Sequence, residues 1–92
     1  MAEDRSGFRV TGVVQGVGFR WWTRRKAVDL GLRGAVMNLD DGSVEVHVAG
    51  AAEALAALEN WLAEGPPGSR VRRVERILSD LPIPPAGFTI EH

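Results

Sequence analysis

The chain has 92 residues, 45% of them hydrophobic and 25% charged, with 11 Lys+Arg against 12 Asp+Glu for a net charge of −1. This is the size of one domain with a modest core, and the charge balance gives no overall field toward nucleic acid or an anionic membrane. The lack of cysteine excludes a disulfide framework, a thiolate nucleophile and a Cys-ligated metal centre, and two histidines, His47 and His92, are too few for a His-rich metal site. The acidic N-terminus from Met1 to Ser6 is unlike a secretory leader. No apolar stretch approaches the ~20 residues of a membrane-spanning helix, so a cytoplasmic domain without membrane contact is expected.

Phe8, Val10, Gly12 and Val14 alternate and predict a first strand over residues 8–14. Two glycines in Gln15-Gly16-Val17-Gly18 break it. Phe19, Trp22, Thr23, Lys26, Ala27 and Leu30 then fall at helical spacing, with Gly31 as the stop. In that helix Trp22 fits the core stripe, and its neighbour Trp21 belongs at the rim. A second strand is read over residues 34–39. The Asp41-Gly42 pair marks a hairpin, and Val44, Val46 and Val48 alternate with Glu45 and His47 in a third strand. Glu45 and His47 on its outward face read as an exposed pair. A second helix over residues 51–64 carries Leu55, Leu58 and Leu62 on one stripe, with Trp61 at its edge, and ends at Gly65-Pro66-Pro67-Gly68. Residues 71–78 read as a fourth strand whose phase slips between Val71 and Val74, the mark of a bulge. Phe88-Thr89-Ile90 offers a short terminal strand.

The order β-α-β-β-α-β predicts an α+β, ferredoxin-like fold in a single domain over residues 1–92, with two helices on one face of an antiparallel sheet ordered 4-1-3-2. In that topology strands 1 and 2 run the same way. The loop after strand 1 and the end of strand 2 therefore meet at one end of the sheet.

That end carries the candidate chemistry. The segment from Gln15 through Gly16, Val17, Gly18 and Phe19 to Arg20 joins a strand to a helix N-terminus, where unpaired N–H groups and the helix dipole favour an anion. Gly16 and Gly18 let successive amides converge around a phosphate, and Arg20 adds a planar fork of donors. Locally, a tight strand-to-helix turn with a solvated Arg20 accounts for the same spacing. Asn38, at the end of strand 2, offers a donor and an acceptor able to hold a water, although a turn cap beside Asp40-Asp41-Gly42 explains an asparagine equally well. Arg70, Arg72, Arg73 and Arg76 form a basic run on strand 4, read as a solvated face. The RNA-recognition module shares this topology but stacks bases on aromatics of strands 1 and 3; residues 43–48 hold none, and strand 1 offers only Phe8.

Two stretches together resemble the acylphosphatase family: Val10 to Arg20, reading VTGVVQGVGFR, and Gly34 through Val36, Asn38, Gly42 and Val44 to Gly50. The resemblance extends to the terminal Phe88-Thr89-Ile90. It favours the anion-binding readings over the local turn readings. One departure is Ala35, where the family usually has an aromatic residue, an exchange expected to remove bulk beside the site.

The resemblance implies hydrolysis of the carboxyl–phosphate anhydride bond of a small acyl phosphate. Arg20 and the amides of residues 15–20 would bind the phosphoryl group, and Asn38 would position the attacking water. It implies no metal and no cofactor; a monomer is expected because no obvious apolar patch in the sequence argues for more. Two alternatives share the fold: a non-catalytic ligand-binding or regulatory module, and the carbamoyl-phosphate-handling domain of hydrogenase maturation proteins, which continues into Cys-rich zinc motifs not found in this chain.

Overall fold

The computed structural model describes residues 3–91; Met1, Ala2 and His92 lie outside the described residues. Its elements are β1 (Asp4–Val13), α1 (Phe19–Asp29), β2 (Arg33–Asn38), β3 (Val44–Gly50), α2 (Ala52–Glu64), β4 (Arg70–Ile77) and β5 (Phe88–Glu91). The strands form one sheet in the order β4-β1-β3-β2-β5. The expected 4-1-3-2 arrangement is present, and β5 extends it by pairing in parallel with β2, from Gly34↔Phe88 to Met37↔Glu91. Among the described residues, no helix is long and apolar enough to cross a membrane.

Alternation fixes which side of each strand meets the helices. Phe8 and Val10 of β1, Val36 of β2 and Val44, Val46 and Val48 of β3 are buried against Leu55, Leu58 and Leu62 of α2 and Phe19 and Ala27 of α1. Trp61 packs at the margin of this core, its ring centroid 6.2 Å from that of Phe19. The phase slip in β4 is a register shift: Thr11 pairs with Arg73 and Gly12 with Val71, which leaves Arg72 as the extra residue. The first strand starts four residues earlier than its apolar pattern shows. Asp4 to Gly7 pair with β3 from Gly50 back to His47, and ladder hydrogen bonds need no apolar side chain.

Three expectations are corrected. Trp22 is not in the core: the buried stripe of α1 is Phe19, Thr23 and Ala27, spaced four apart, and Trp22 lies one position off it. Its ring meets that of Trp21 edge-on, the two centroids 4.8 Å apart. His47 is not exposed, with only 2% of its surface accessible. The reason is the connection of residues 78–87. It must pass from β4 at one edge of the sheet to β5 at the other, and it does so over the face without helices. Arg5 of β1 donates to Ser79 O at 2.8 Å and also reaches Leu81 O, His47 of β3 meets Ser79 Oγ at 2.9 Å, and Arg33 of β2 donates to Pro84 O at 2.7 Å. Beneath it His47 and Glu45 are 3.1 Å apart, with Glu45 also held by Arg9 at 2.8 Å. Ala35 lies on this same face, paired with His47 and Thr89. Its small size therefore removes bulk under the crossing, and it does not line the pocket described next.

Candidate active site

The parallel course of β1 and β2 delivers the loop after β1 and the end of β2 to one end of the sheet. Between them lies a pocket of about 200 Å³ lined by Gln15, Gly16, Gly18, Arg20 and Asn38, with Trp21 and Ile90 at its sides. The structure thus gathers the candidates read from the two separate stretches of sequence. Val14 and Phe19 contribute to the floor from the core. Val17 does not line the pocket; its side chain packs against the core.

The loop has the backbone an anion site requires. Gly16 and Gly18 have φ of 76° and 74°, a region costly for other residues. Gly18 is the N-cap of α1 and makes no side-chain cap, and the first turn holds no acidic residue. Gly18 thus brings no side-chain acceptor to the opening turn of α1, and no acidic residue there cancels its partial positive charge. Arg20, half-buried, donates from Nη1 to Glu91 O at 2.9 Å, so the end of β5 orients the guanidinium. Arg24, one turn later, donates to Phe88 O at 3.0 Å and ties α1 to the same strand.

Asn38 is exposed at the pocket, and among the described residues its side chain makes no hydrogen bond. The turn-cap role belongs to Asp41 instead, whose Oδ1 accepts from Ser43 N at 2.9 Å and from Ser43 Oγ at 2.6 Å. Those hydrogen bonds from Ser43 hold the Asp41 carboxyl below its ordinary range. Relieved of the turn, the Asn38 carboxamide keeps both its donor and its acceptor for a ligand or a water.

A further role falls to the side chain of Gln15, considered above only for its backbone. Its Nε2 donates to Leu39 O at 2.8 Å and to Ser43 O at 2.9 Å. The amide thus clamps the loop after β1 to the hairpin that carries Asn38. The basic run of β4 lies elsewhere: Arg73 pairs with Glu75, Arg76 with Glu59, and Arg70 and Arg72 line a larger depression of about 550 Å³ on the other side of Gly12 and Val13. None of the loop residues 15–20 lines that depression. Among the described residues, no group of three or more His, Cys, Asp or Glu could hold a metal ion.

With this geometry in view, the family model, the curated relatives and two of the solved structures agree on one family. The family model described as acylphosphatase matches residues 7–90. The chain is similar to an acylphosphatase of Aeromonas hydrophila, 47% identical over 75 residues, which is 82% of this chain and 83% of that protein. To an acylphosphatase of Xanthomonas campestris it is 52% identical over 82 residues, 89% and 93% of the two chains. The crystal structure of acylphosphatase from Bacillus subtilis superposes with a TM-score of 0.88 at 32% identity, over 99% of this chain and 100% of that one.

Proposed function

Because this chain belongs to the acylphosphatase family, we propose that the pocket between the loop of residues 15–20 and Asn38 is where it does its chemistry. Its activity is the hydrolysis of acyl phosphates, an acid-anhydride hydrolase reaction. The observation that carries the assignment of the site is the convergence of Gly16, Gly18, Arg20 and Asn38 on one small pocket at an uncapped helix start.

In this reading the phosphoryl oxygens accept hydrogen bonds from the amides of residues 15–20 and from the Arg20 fork. Asn38 holds a water with a lone pair toward phosphorus. The water oxygen forms the new P–O bond, and the bond from phosphorus to the carboxyl oxygen breaks. The electron pair leaves with the carboxylate, so an acyl phosphate dianion and water give a carboxylate and dihydrogen phosphate. A carboxylate is a good leaving group, and a loose phosphoryl transition state asks mainly for placement and charge stabilisation. That demand matches two polar side chains and a loop of amides, with neither a nucleophilic side chain nor a metal called for. We also place the domain in the cytoplasm as a monomer over the whole of residues 1–92, acting on a small molecule and not on nucleic acid. The aromatic-free stretch of residues 43–48 supports the last point.

The test is hydrolysis of a small acyl phosphate with and without a metal chelator, alongside inhibition by inorganic phosphate. Activity should persist in the chelator, and phosphate should compete with substrate. Loss of activity that added magnesium restores, or non-competitive phosphate, would overturn this mechanism.

A further inference from the structure

On the face of the sheet without helices, a carboxyl, an imidazole and a hydroxyl are joined in one chain that the pocket at Asn38 does not use. Glu45 Oε1 lies 3.1 Å from His47 Nε2, and His47 Nδ1 lies 2.9 Å from Ser79 Oγ. The partners fix where the protons go. Burial raises the Glu45 carboxyl, but hydrogen bonds from Arg9 and His47 bring it below its ordinary range, so near neutral pH it is a carboxylate and can only accept. The proton of the neutral imidazole therefore sits on Nε2, and Nδ1 presents a lone pair. Arg5 Nε donates to Ser79 Oγ at 3.2 Å and takes up acceptor capacity there, which leaves the hydroxyl proton for Nδ1. A serine facing an imidazole that a carboxylate orients is an activated nucleophile. The base is shielded, since His47 is buried, while Ser79 is half-buried and opens on a cavity of about 230 Å³ beside Arg5, Gly7, Arg76 and Ile77. Arg5 Nη1 has no hydrogen-bond partner among the described residues, which leaves donors for charge developing on an attacked carbonyl oxygen. This cavity shares no lining residue with the pocket of Arg20 and Asn38.

We propose that Ser79 is a site of covalent acylation, with His47 as its general base and Glu45 as the positioning residue, and that the acyl donor is an acyl phosphate. The donor class rests on the function proposed above, whereas the nucleophile rests on the geometry of Ser79, His47 and Glu45. Ser79 Oγ attacks the carbonyl carbon and forms an ester bond. The bond from that carbon to the anhydride oxygen breaks, and its electron pair leaves with phosphate. The hydroxyl proton passes to His47 Nδ1 and from there to the departing phosphate. An acyl phosphate dianion and the serine thus give an O-acyl serine and hydrogen phosphate. The atom attacked here is carbon, whereas hydrolysis at Arg20 and Asn38 directs water at phosphorus.

The experiment treats the wild type with p-nitrophenyl acetate, and Asn38→Ala, in which the donor is not consumed, with acetyl phosphate. Acetylated residues are mapped by peptide mass and challenged with hydroxylamine, which cleaves an ester and leaves an amide. Both reagents should acetylate Ser79, and hydroxylamine should remove the group. Ser6, which lines the same cavity but makes no side-chain hydrogen bond among the described residues, should stay unmodified. His47→Gln should slow acetylation of Ser79 by p-nitrophenyl acetate about a hundredfold. Glu45→Gln, which leaves the imidazole in place, should slow it about tenfold or more, with melting curves showing that each variant is folded. Inorganic phosphate should give no protection, because it binds in the other pocket. Acetyl groups confined to Lys26 and the chain's amino group would overturn the proposal. So would wild-type rates in folded Glu45→Gln, protection by phosphate, or acetylation of Ser79 by the ester but not by acetyl phosphate. Non-competitive phosphate in acyl phosphate hydrolysis, with Ser79 still acetylated by both reagents, would overturn the pocket at Arg20 and support this site.

Discussion

Replacing Gln15 with methionine preserves the length of the side chain and removes both donors of the clamp. Gln15 Nε2 spans Leu39 O at 2.8 Å and Ser43 O at 2.9 Å. Each carbonyl keeps a backbone partner in the variant, because Gly42 N donates to Leu39 O at 3.1 Å and Leu39 N to Ser43 O at 2.9 Å. No acceptor is orphaned, so the loss of stability is that of two net hydrogen bonds, about 1–3 kcal/mol. In a domain of this size each kcal/mol lowers Tm by roughly 4–8 °C. The effect on rate has a different origin. Leu39 follows Asn38 directly, so the clamp sets the distance between the loop of residues 15–20 and the amide proposed to hold the water. A misplacement of ~1 Å can cost on the order of a hundredfold, and partial loosening of a hairpin that keeps its own hydrogen bonds should cost roughly tenfold in kcat. The assay is a cycle of Gln15→Met, Asn38→Ala and the double variant, with kcat, phosphate Ki and Tm measured on each. If Gln15 works through Asn38, the double variant has the kcat of Asn38→Ala to within about twofold. If the two single losses multiply in the double variant, the reasoning is refuted.

Arg20→Lys keeps the charge but not the planar fork that Glu91 O orients. Its KM and phosphate Ki should rise nearly as far as those of Arg20→Ala, by an order of magnitude or more for a lost bidentate contact; steady-state kinetics showing an active Arg20→Lys enzyme would remove that contact from the mechanism. Burial raises the Glu45 carboxyl, but hydrogen bonds from Arg9 and His47 outweigh it and hold the group below its ordinary range. A carboxyl depressed on folding adds stability that is complete above its unfolded value, about 4.3, and is lost as pH falls through the folded value. Tm should therefore drop on acidification below about pH 4, less steeply in Glu45→Gln; an identical acid slope in the two proteins would contradict this.

The sequence carried the site better than it carried its surroundings. The glycines at 16 and 18 and the strand-to-helix switch at Phe19 are local signals, and the bulge at Arg72 shows as a break in alternation between Val71 and Val74. The meeting of Asn38 with the loop follows from topology, since strands joined through one helix in this fold run the same way. Alternation tells which face His47 takes, not what later covers that face. The cover is the 78–87 crossing, a Pro-rich segment without periodicity. Trp22 stands three residues from Phe19 and four from Lys26, which fits helical spacing, but the buried stripe continues from Phe19 through Thr23 and Ala27. The clamp by Gln15 lies inside a recognisable motif, but its acceptors are backbone carbonyls of a distant hairpin, for which residue types carry no signal.

The central claim is that phosphate binding and water placement are separate jobs done by different residues of one pocket. The most direct measurement is kcat, KM and phosphate Ki for Asn38→Ala beside its melting curve. Since Asp41 caps the turn and the Asn38 side chain makes no hydrogen bond among the described residues, Tm should change little. Phosphate Ki and KM should stay close to wild type, because Arg20 and the loop amides are intact. Both kcat and kcat/KM should fall together by about a hundredfold or more, as for an interaction made only on the way to the transition state. An Asn38→Ala enzyme with full kcat, whether or not it melts earlier, would contradict the account.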